Sequence, residues 1–148
     1  MSRFKWGNIP VPEGHVLSLV AGVALHLWHP LELTQATWLR HVLGWPILLA
    51  GIFLIARCVA AVKDINIEKP ATLITTGPYA HSRNPMYLAW TIIYLATVLL
   101  VNTWWLIILL PALVLFTHFF VVAREEDQLE RQFGEQYRQY RAKVRRYL

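Results

Sequence analysis

The sequence predicts an all-α polytopic membrane bundle of about four transmembrane helices, followed by a C-terminal cytoplasmic amphipathic helix, and three observations carry that prediction. First, 56% of the 148 residues are apolar and only 16% charged, well below the quarter usual in a soluble domain. Second, the 40 residues between Arg83 and Arg124 include no Asp, Glu, Lys or Arg. Third, Lys and Arg fall almost entirely on one side of the resulting topology. The formal charge of +5 on so apolar a chain points to anionic lipid and not to nucleic acid. The whole chain, 1–148, reads as one domain. Cys58 is the only cysteine, which excludes a disulfide framework, a redox pair and a cysteine-based zinc site.

A hydrocarbon core of about 30 Å needs about 20 apolar residues of helix, so the uncharged run of 40 is two spans. The break falls at Asn102-Thr103, beside Trp104 and Trp105, because a polar turn flanked by indoles suits the membrane interface. This gives a hairpin, Pro85–Val101 and Trp104–Ala123. Upstream, Gly14–Leu31 is uncharged and Val42–Val62 holds only Arg57, which can extend to the headgroups from near a helix end. With four spans, thirteen Lys and Arg lie on one side and Arg40 alone on the other. Both termini are therefore expected to be cytoplasmic.

Chemistry has to reside in the two cytoplasmic polar segments, the loop Lys63–Asn84 and the tail Arg124–Leu148. In the tail Leu129, Phe133, Tyr137, Tyr140, Val144 and Tyr147 recur at helical spacing among basic residues. That pattern describes a basic helix lying in the interface, with Gly134 as an interruption. In the loop, Asn84-Pro85 is a strong helix start, Asn as N-cap and Pro in the first turn. Capping alone explains that pair. Arg83 and Tyr79 beside the same positive helix end add something further, a site for a ligand carboxylate or phosphate.

Where the hairpin returns, Glu125, Glu126 and Asp127 run against the local positive balance. Asp127 and Glu130 read as a solvated turn, Glu126 and Asp127 can pair with Arg131 or the loop lysines, and Glu125 emerges directly from the span and needs a partner. His118 is set inside a span, where a neutral histidine bonded to a neighbouring helix is the expected state. The six histidines form no metal-ligand pattern, and no metal is expected.

Two blocks resemble the isoprenylcysteine carboxyl methyltransferase and phospholipid methyltransferase superfamily of integral-membrane enzymes. The first runs from Pro70 through Gly77-Pro78-Tyr79 into Arg83-Asn84-Pro85-Met86-Tyr87, and is similar to the family's Gly-x-Tyr followed by Arg-His/Asn-Pro-x-Tyr. The second is Glu125-Glu126-x-x-Leu129 followed by Phe133-Gly134, Tyr137, Tyr140 and Val144. Their order, and the helical hairpin between them, make the pair specific. The resemblance implies S-adenosylmethionine as cofactor, a cofactor-binding core over 64–148, and Arg83 and Glu125 as the residues carrying the reaction. It further implies a cofactor pocket built from Asp64, Ala71, Thr72, Leu73, Ile74, Gly77, Tyr79, Asn84, Pro85, Met86, Tyr87 and Glu125.

The acceptor implied is hydrophobic or lipid-like. Eukaryotic prenylcysteine enzymes carry an arginine four residues before the pocket glutamate, and here that position is Val121. The short chain looks more like small members of a prokaryotic cytoplasmic membrane. Two rival readings are weighed against this one. A sterol-reductase-like enzyme binding a nicotinamide cofactor would want more loop cations than Lys63, Lys69 and Arg83. A non-enzymatic helical module leaves the coincidence of the two blocks unexplained.

Overall fold

A computed structural model describes residues 12–62 and 72–148. The described residues form α1 (Glu13–Trp28), α2 (Thr37–Val62), a 3-10 turn (Gly77–Ala80) and α3 (Pro85–Val101). There follow α4 (Trp104–Phe116), a π turn (Thr117–Val122), α5 (Ala123–Phe133) and α6 (Glu135–Lys143). From Trp104 to Phe133 the helix is continuous.

The hairpin turn falls where the polar pair predicts it. Asn102 takes the left-handed conformation, φ 62°, which asparagine tolerates better than most side chains. Thr103 then caps α4 by accepting from the Trp105 N–H at 3.2 Å. The same turn ties down the loop after α1. The Asn102 side chain accepts from the Thr34 N–H at 3.1 Å and donates to the Thr34 carbonyl at 3.0 Å, and Trp105 Nε1 donates to the His29 carbonyl at 2.8 Å. At the opposite end Gly134, φ 51°, separates α5 from α6, so the predicted interruption is a real break.

The structure supports two of the four spans expected. Among the described residues two helices are long and apolar enough to cross a membrane, Thr37–Val62 and Trp104–Phe133. At 1.5 Å rise per residue, the 16 residues of α1 and the 17 of α3 reach about 25 Å, less than the hydrocarbon core. The chain leaves α1 at Trp28 and not at Leu31, and the hairpin turn fixes the end of α3.

Packing pairs α2 with α3 and α1 with α4. Close approach depends on glycine. A Cβ at Gly51 would stand 2.6 Å from Ile93 Cγ1 and 3.2 Å from the Ala89 carbonyl, and one at Gly22 would stand 2.2 Å from Leu106 Cδ2. Small residues at such crossings let helices pack without a hydrophobic drive between them. Tyr94, Val98, Leu106 and Leu113 form one core cluster, and Cys58, Val59 and Met86 another. Outward faces remain apolar, with Leu27, Phe53, Phe119 and Phe120 well exposed, as suits contact with lipid tails.

Candidate active site

The loop before α3, the start of α5 and the C-terminal segment meet at one end of the bundle around a cavity of about 90 Å³. Its walls come from Thr72, Leu73 and Ile74, then Tyr79, Arg83 and Asn84, then Glu125 and Glu126, and finally the aromatic face of the tail. The tail folds back over the loop. Arg145 pairs with Ser82 as a short parallel bridge, and its carbonyl accepts from the Arg83 N–H at 2.9 Å. The Arg146 carbonyl accepts from Asn84 Nδ2 at 3.2 Å and from Ser82 Oγ at 3.3 Å. Tyr140 donates its hydroxyl to the Tyr79 carbonyl at 2.6 Å. Burial pushes that hydroxyl up to about 12, so it remains a donor at neutral pH.

The electrostatic centre is Glu126, 7% exposed. Arg146 grips it with two bonds, Nη2 to Oε2 at 2.6 Å and Nε to Oε1 at 3.3 Å. Arg83 Nη2 approaches Oε1 at 3.2 Å. Two guanidinium groups thus share one carboxylate, leaving an excess of one positive charge in a secluded place. Arg83 Nε and Nη1 are buried without a partner among the described residues, and so is the Tyr137 hydroxyl. Buried donors are expected to be satisfied, and three unsatisfied donors beside a cavity make it a receptor for an anion or a strong acceptor.

Glu125, next along α5, turns to a different partner. Its Oε1 accepts the Tyr87 hydroxyl at 2.6 Å. The residue is exposed at the edge of the cavity, yet desolvation by the walls around its carboxyl raises it above the ordinary carboxylate range, and the Tyr87 hydrogen bond offsets part of that rise. The π turn just ahead of α5 brings in His118. Its Nε2 meets Arg146 Nη1 at 3.1 Å and its Nδ1 meets the Tyr147 hydroxyl at 3.1 Å. Arg146 donates, so Nε2 accepts and Nδ1 carries the proton. The neutral histidine expected here is bonded to the tail and not to a neighbouring helix. Such turns widen a helix and recur at functional sites.

Residues 39–136 match the family described as phospholipid methyltransferase. The chain belongs to that family. An uncharacterized protein of Haemophilus influenzae is 46% identical over 65 residues, which are 43% of this chain and the whole of that protein. No solved structure matches the chain. Family membership makes the chain a methyltransferase of membranes, in agreement with its two long apolar helices.

Of the residues expected in the pocket, Thr72, Leu73, Ile74, Tyr79, Arg83, Asn84 and Glu125 line the cavity, and Tyr87 joins through Glu125. Asp64 and Ala71 lie outside the described residues. Gly77 and Pro85 border a separate groove beside Phe53, Arg57 and His81, and Met86 is buried in the core against Cys58 and Val59. Alternation along the chain explains this, since a helix start that offers Arg83 and Asn84 to one side turns its next residues to the other. Asn84 does not cap α3 with its side chain; the amide reaches the tail instead.

Two readings of the tail also change. The stripe expected to lie on lipid is turned inward, with Tyr137 and Tyr140 buried and Leu129 and Phe133 in the cavity wall. Glu126, read among the neighbours of Glu125 that pair or face solvent, is the most buried carboxylate of the acidic run. Asp127 and Glu130 behave as expected of paired surface residues, with Arg131 at 2.9 Å and Arg141 at 3.1 Å. Sequence reasoning passed over Glu126 and Arg146 as a pair. Their 20-residue separation carries no local signal, although aromatic residues after a helix-breaking glycine hinted at a segment that folds back.

Proposed function

We propose that the protein is an S-adenosylmethionine-dependent methyltransferase acting on a hydrophobic or lipid-like acceptor, with the cavity between the loop, α5 and the tail as its cofactor site. The observation that carries this reading is the set of buried donors without partners, Arg83 Nε and Nη1 and the Tyr137 hydroxyl, next to an exposed-edge carboxylate, Glu125. Amino-acid carboxylate and ribose hydroxyls are the two polar ends such a cofactor offers, and donors and acceptor here are matched to them. The enclosed volume suits one end of the cofactor.

When bound, S-adenosylmethionine supplies an electrophilic methyl on a sulfonium. Everything else falls to the chain. Arg83 holds the carboxylate, its remaining charge being the one Glu126 and Arg146 leave over. Glu125 accepts from hydroxyls, fixed in place by Tyr87. Tyr79, Tyr137 and Tyr140 exclude water, and aromatic faces favour a cation. Alignment and a dry setting are what an in-line transfer requires.

The acceptor is proposed to arrive from the bilayer. All four long helices are proposed to cross the cytoplasmic membrane with both termini cytoplasmic, the shorter α1 and α3 being accommodated by local thinning; the thirteen-to-one asymmetry of Lys and Arg supports this orientation. Calorimetry on the purified protein in detergent tests the cofactor. Adenosylmethionine and adenosylhomocysteine should bind and NADPH should not. Binding of NADPH alone would overturn the reading.

A further inference from the structure

On α1, His15 is 2% exposed and stands beside Tyr87, ring centres 6.3 Å apart. Its Nε2 lies 3.3 Å from Thr91 Oγ1. The Thr91 hydroxyl has a single hydrogen, and it is used on the Tyr87 carbonyl at 2.8 Å. Thr91 Oγ1 therefore accepts, and His15 Nε2 carries the hydrogen it donates. A neutral imidazole has one such hydrogen, so Nδ1 is a bare lone pair. It is buried with no partner among the described residues.

One turn further along α1 a comparable ladder closes. Ser18 Oγ lies 2.9 Å from the Tyr94 hydroxyl, which donates to the Leu106 carbonyl at 2.9 Å. Ser18 must donate to Tyr94, and every hydrogen has an acceptor. Of the two ladders, the one through His15 leaves a polar atom over, Nδ1. It is also one ring away from the Glu125 carboxylate, because Tyr87 stands against His15 and bonds Glu125.

We propose that His15 Nδ1 is the contact that selects and orients the methyl acceptor, receiving a hydrogen bond from the reacting group, which must therefore bear an N–H, S–H or O–H. This rests on the methyltransferase reading above. A group held by its hydrogen turns its lone pair to the methyl; as that bond forms the methyl–sulfur bond breaks, its electron pair returns to sulfur to leave the neutral thioether, and the proton held at Nδ1 passes to the Nδ1 lone pair and on to water. A carboxylate acceptor has no hydrogen to offer and would set its own lone pairs against that of Nδ1, and a site built for a donor discriminates strongly against an analogue that lacks one. The first helix thereby supplies the acceptor side of the site, and the loop and tail the cofactor side.

Three probes of one chain length separate the classes: dodecylamine, dodecanethiol and laurate, each offered with labelled adenosylmethionine to the full-length protein in detergent. The amine or the thiol should be methylated and laurate should not. His15→Gln, whose amide sits nearer the Nε2 position, should raise the KM for the accepted probe about tenfold, one hydrogen bond's worth. His15→Asn, whose amide oxygen can occupy the Nδ1 position, should stay within about threefold. Adenosylhomocysteine affinity should be unchanged in both. Methylation of laurate as efficient as that of the amine or thiol would overturn the proposal, and so would wild-type KM in both variants. If none of the three turns over, calorimetric binding of the same probes to the adenosylhomocysteine-loaded protein reads the same contact, and equal binding by wild type and His15→Gln overturns it. Failure of adenosylhomocysteine to bind wild type would instead strike the cofactor reading itself.

Discussion

Glu126→Gln should unlock the tail while leaving the spans in place. In the wild type one carboxylate, 7% exposed, neutralises two guanidinium groups through contacts of 2.6, 3.3 and 3.2 Å. Glutamine keeps the volume and can still accept at one oxygen. It removes the charge and leaves Arg83 and Arg146 facing each other. Breaking a buried ion pair by removing one partner costs about 3–5 kcal/mol. Arg146, whose side chain is 32% exposed, recovers some of this from water, so the low end applies, about 3 kcal/mol. For a chain of this size that corresponds to roughly 6–12 °C in Tm. Thermal unfolding of the purified protein in matched detergent, followed by tryptophan fluorescence, reads the shift. Limited trypsin digestion reads the place, with cleavage accelerated after Arg138, Arg141 and Lys143. Asp127→Asn is the control, since its pair with Arg131 is exposed on both sides and such pairs contribute little. A Glu126→Gln protein that melts within 2 °C of wild type, with unchanged tail cleavage, would refute the reasoning that this carboxylate holds the tail over the cavity.

Glu125→Gln should leave Tm near that of wild type and weaken adenosylhomocysteine about ten- to a hundredfold, the loss of charge-assisted hydrogen bonds worth about 1.5–3 kcal/mol. Because burial raises the Glu125 carboxyl and the ionised form is the better acceptor, wild-type affinity should decline on acidification from above the ordinary carboxylate range, whereas Glu125→Gln should lack that step; calorimetry across pH compares them, and the same step in both proteins would assign it elsewhere. Gly22→Ala places a Cβ 2.2 Å from Leu106 Cδ2, and the forced separation of α1 from α4 should cost about 1–3 kcal/mol, read as a lowered Tm and checked against Gly14→Ala, where the nearest atom is 3.6 Å away. Cysteines at Thr75 and Ala142, in a background lacking Cys58, should react with an impermeant maleimide only from the cytoplasmic side and one at Gln35 only from the other; labelling of Thr75 and Gln35 from one side would refute the topology.

The hairpin was legible because its signals are local. An uncharged run of fixed length, a polar pair between indoles and a proline at the helix start each act within a few residues, and they placed α3 and the start of α4 at the bounds observed. Gly134 was legible for the same reason: a residue without a Cβ takes the positive φ that ends a helix. Span number was less so, because hydropathy records which residues avoid water and not where the backbone leaves the helix.

The sequence by itself determined that this chain is helical and apolar, and its resemblance to a known family put Arg83 and Glu125 in one expected site. Only the tertiary structure decided which of two adjacent glutamates is clamped between arginines and which turns to Tyr87 at the cavity wall. Residues 125 and 126 lie about 100° apart on a helix, so one faces Arg83 and Arg146 and the other faces Tyr87. The sequence singles out Glu125 by its place at the end of the span and carries no local signal for the partners of Glu126. The tail posed the same difficulty: a stripe of Tyr137 and Tyr140 at helical spacing suits lipid or protein equally well. What turned it inward is a set of long-range polar bonds, Tyr140 to the Tyr79 carbonyl and Arg146 to Glu126, whose partners are set by the path of the chain and not by any neighbouring residue.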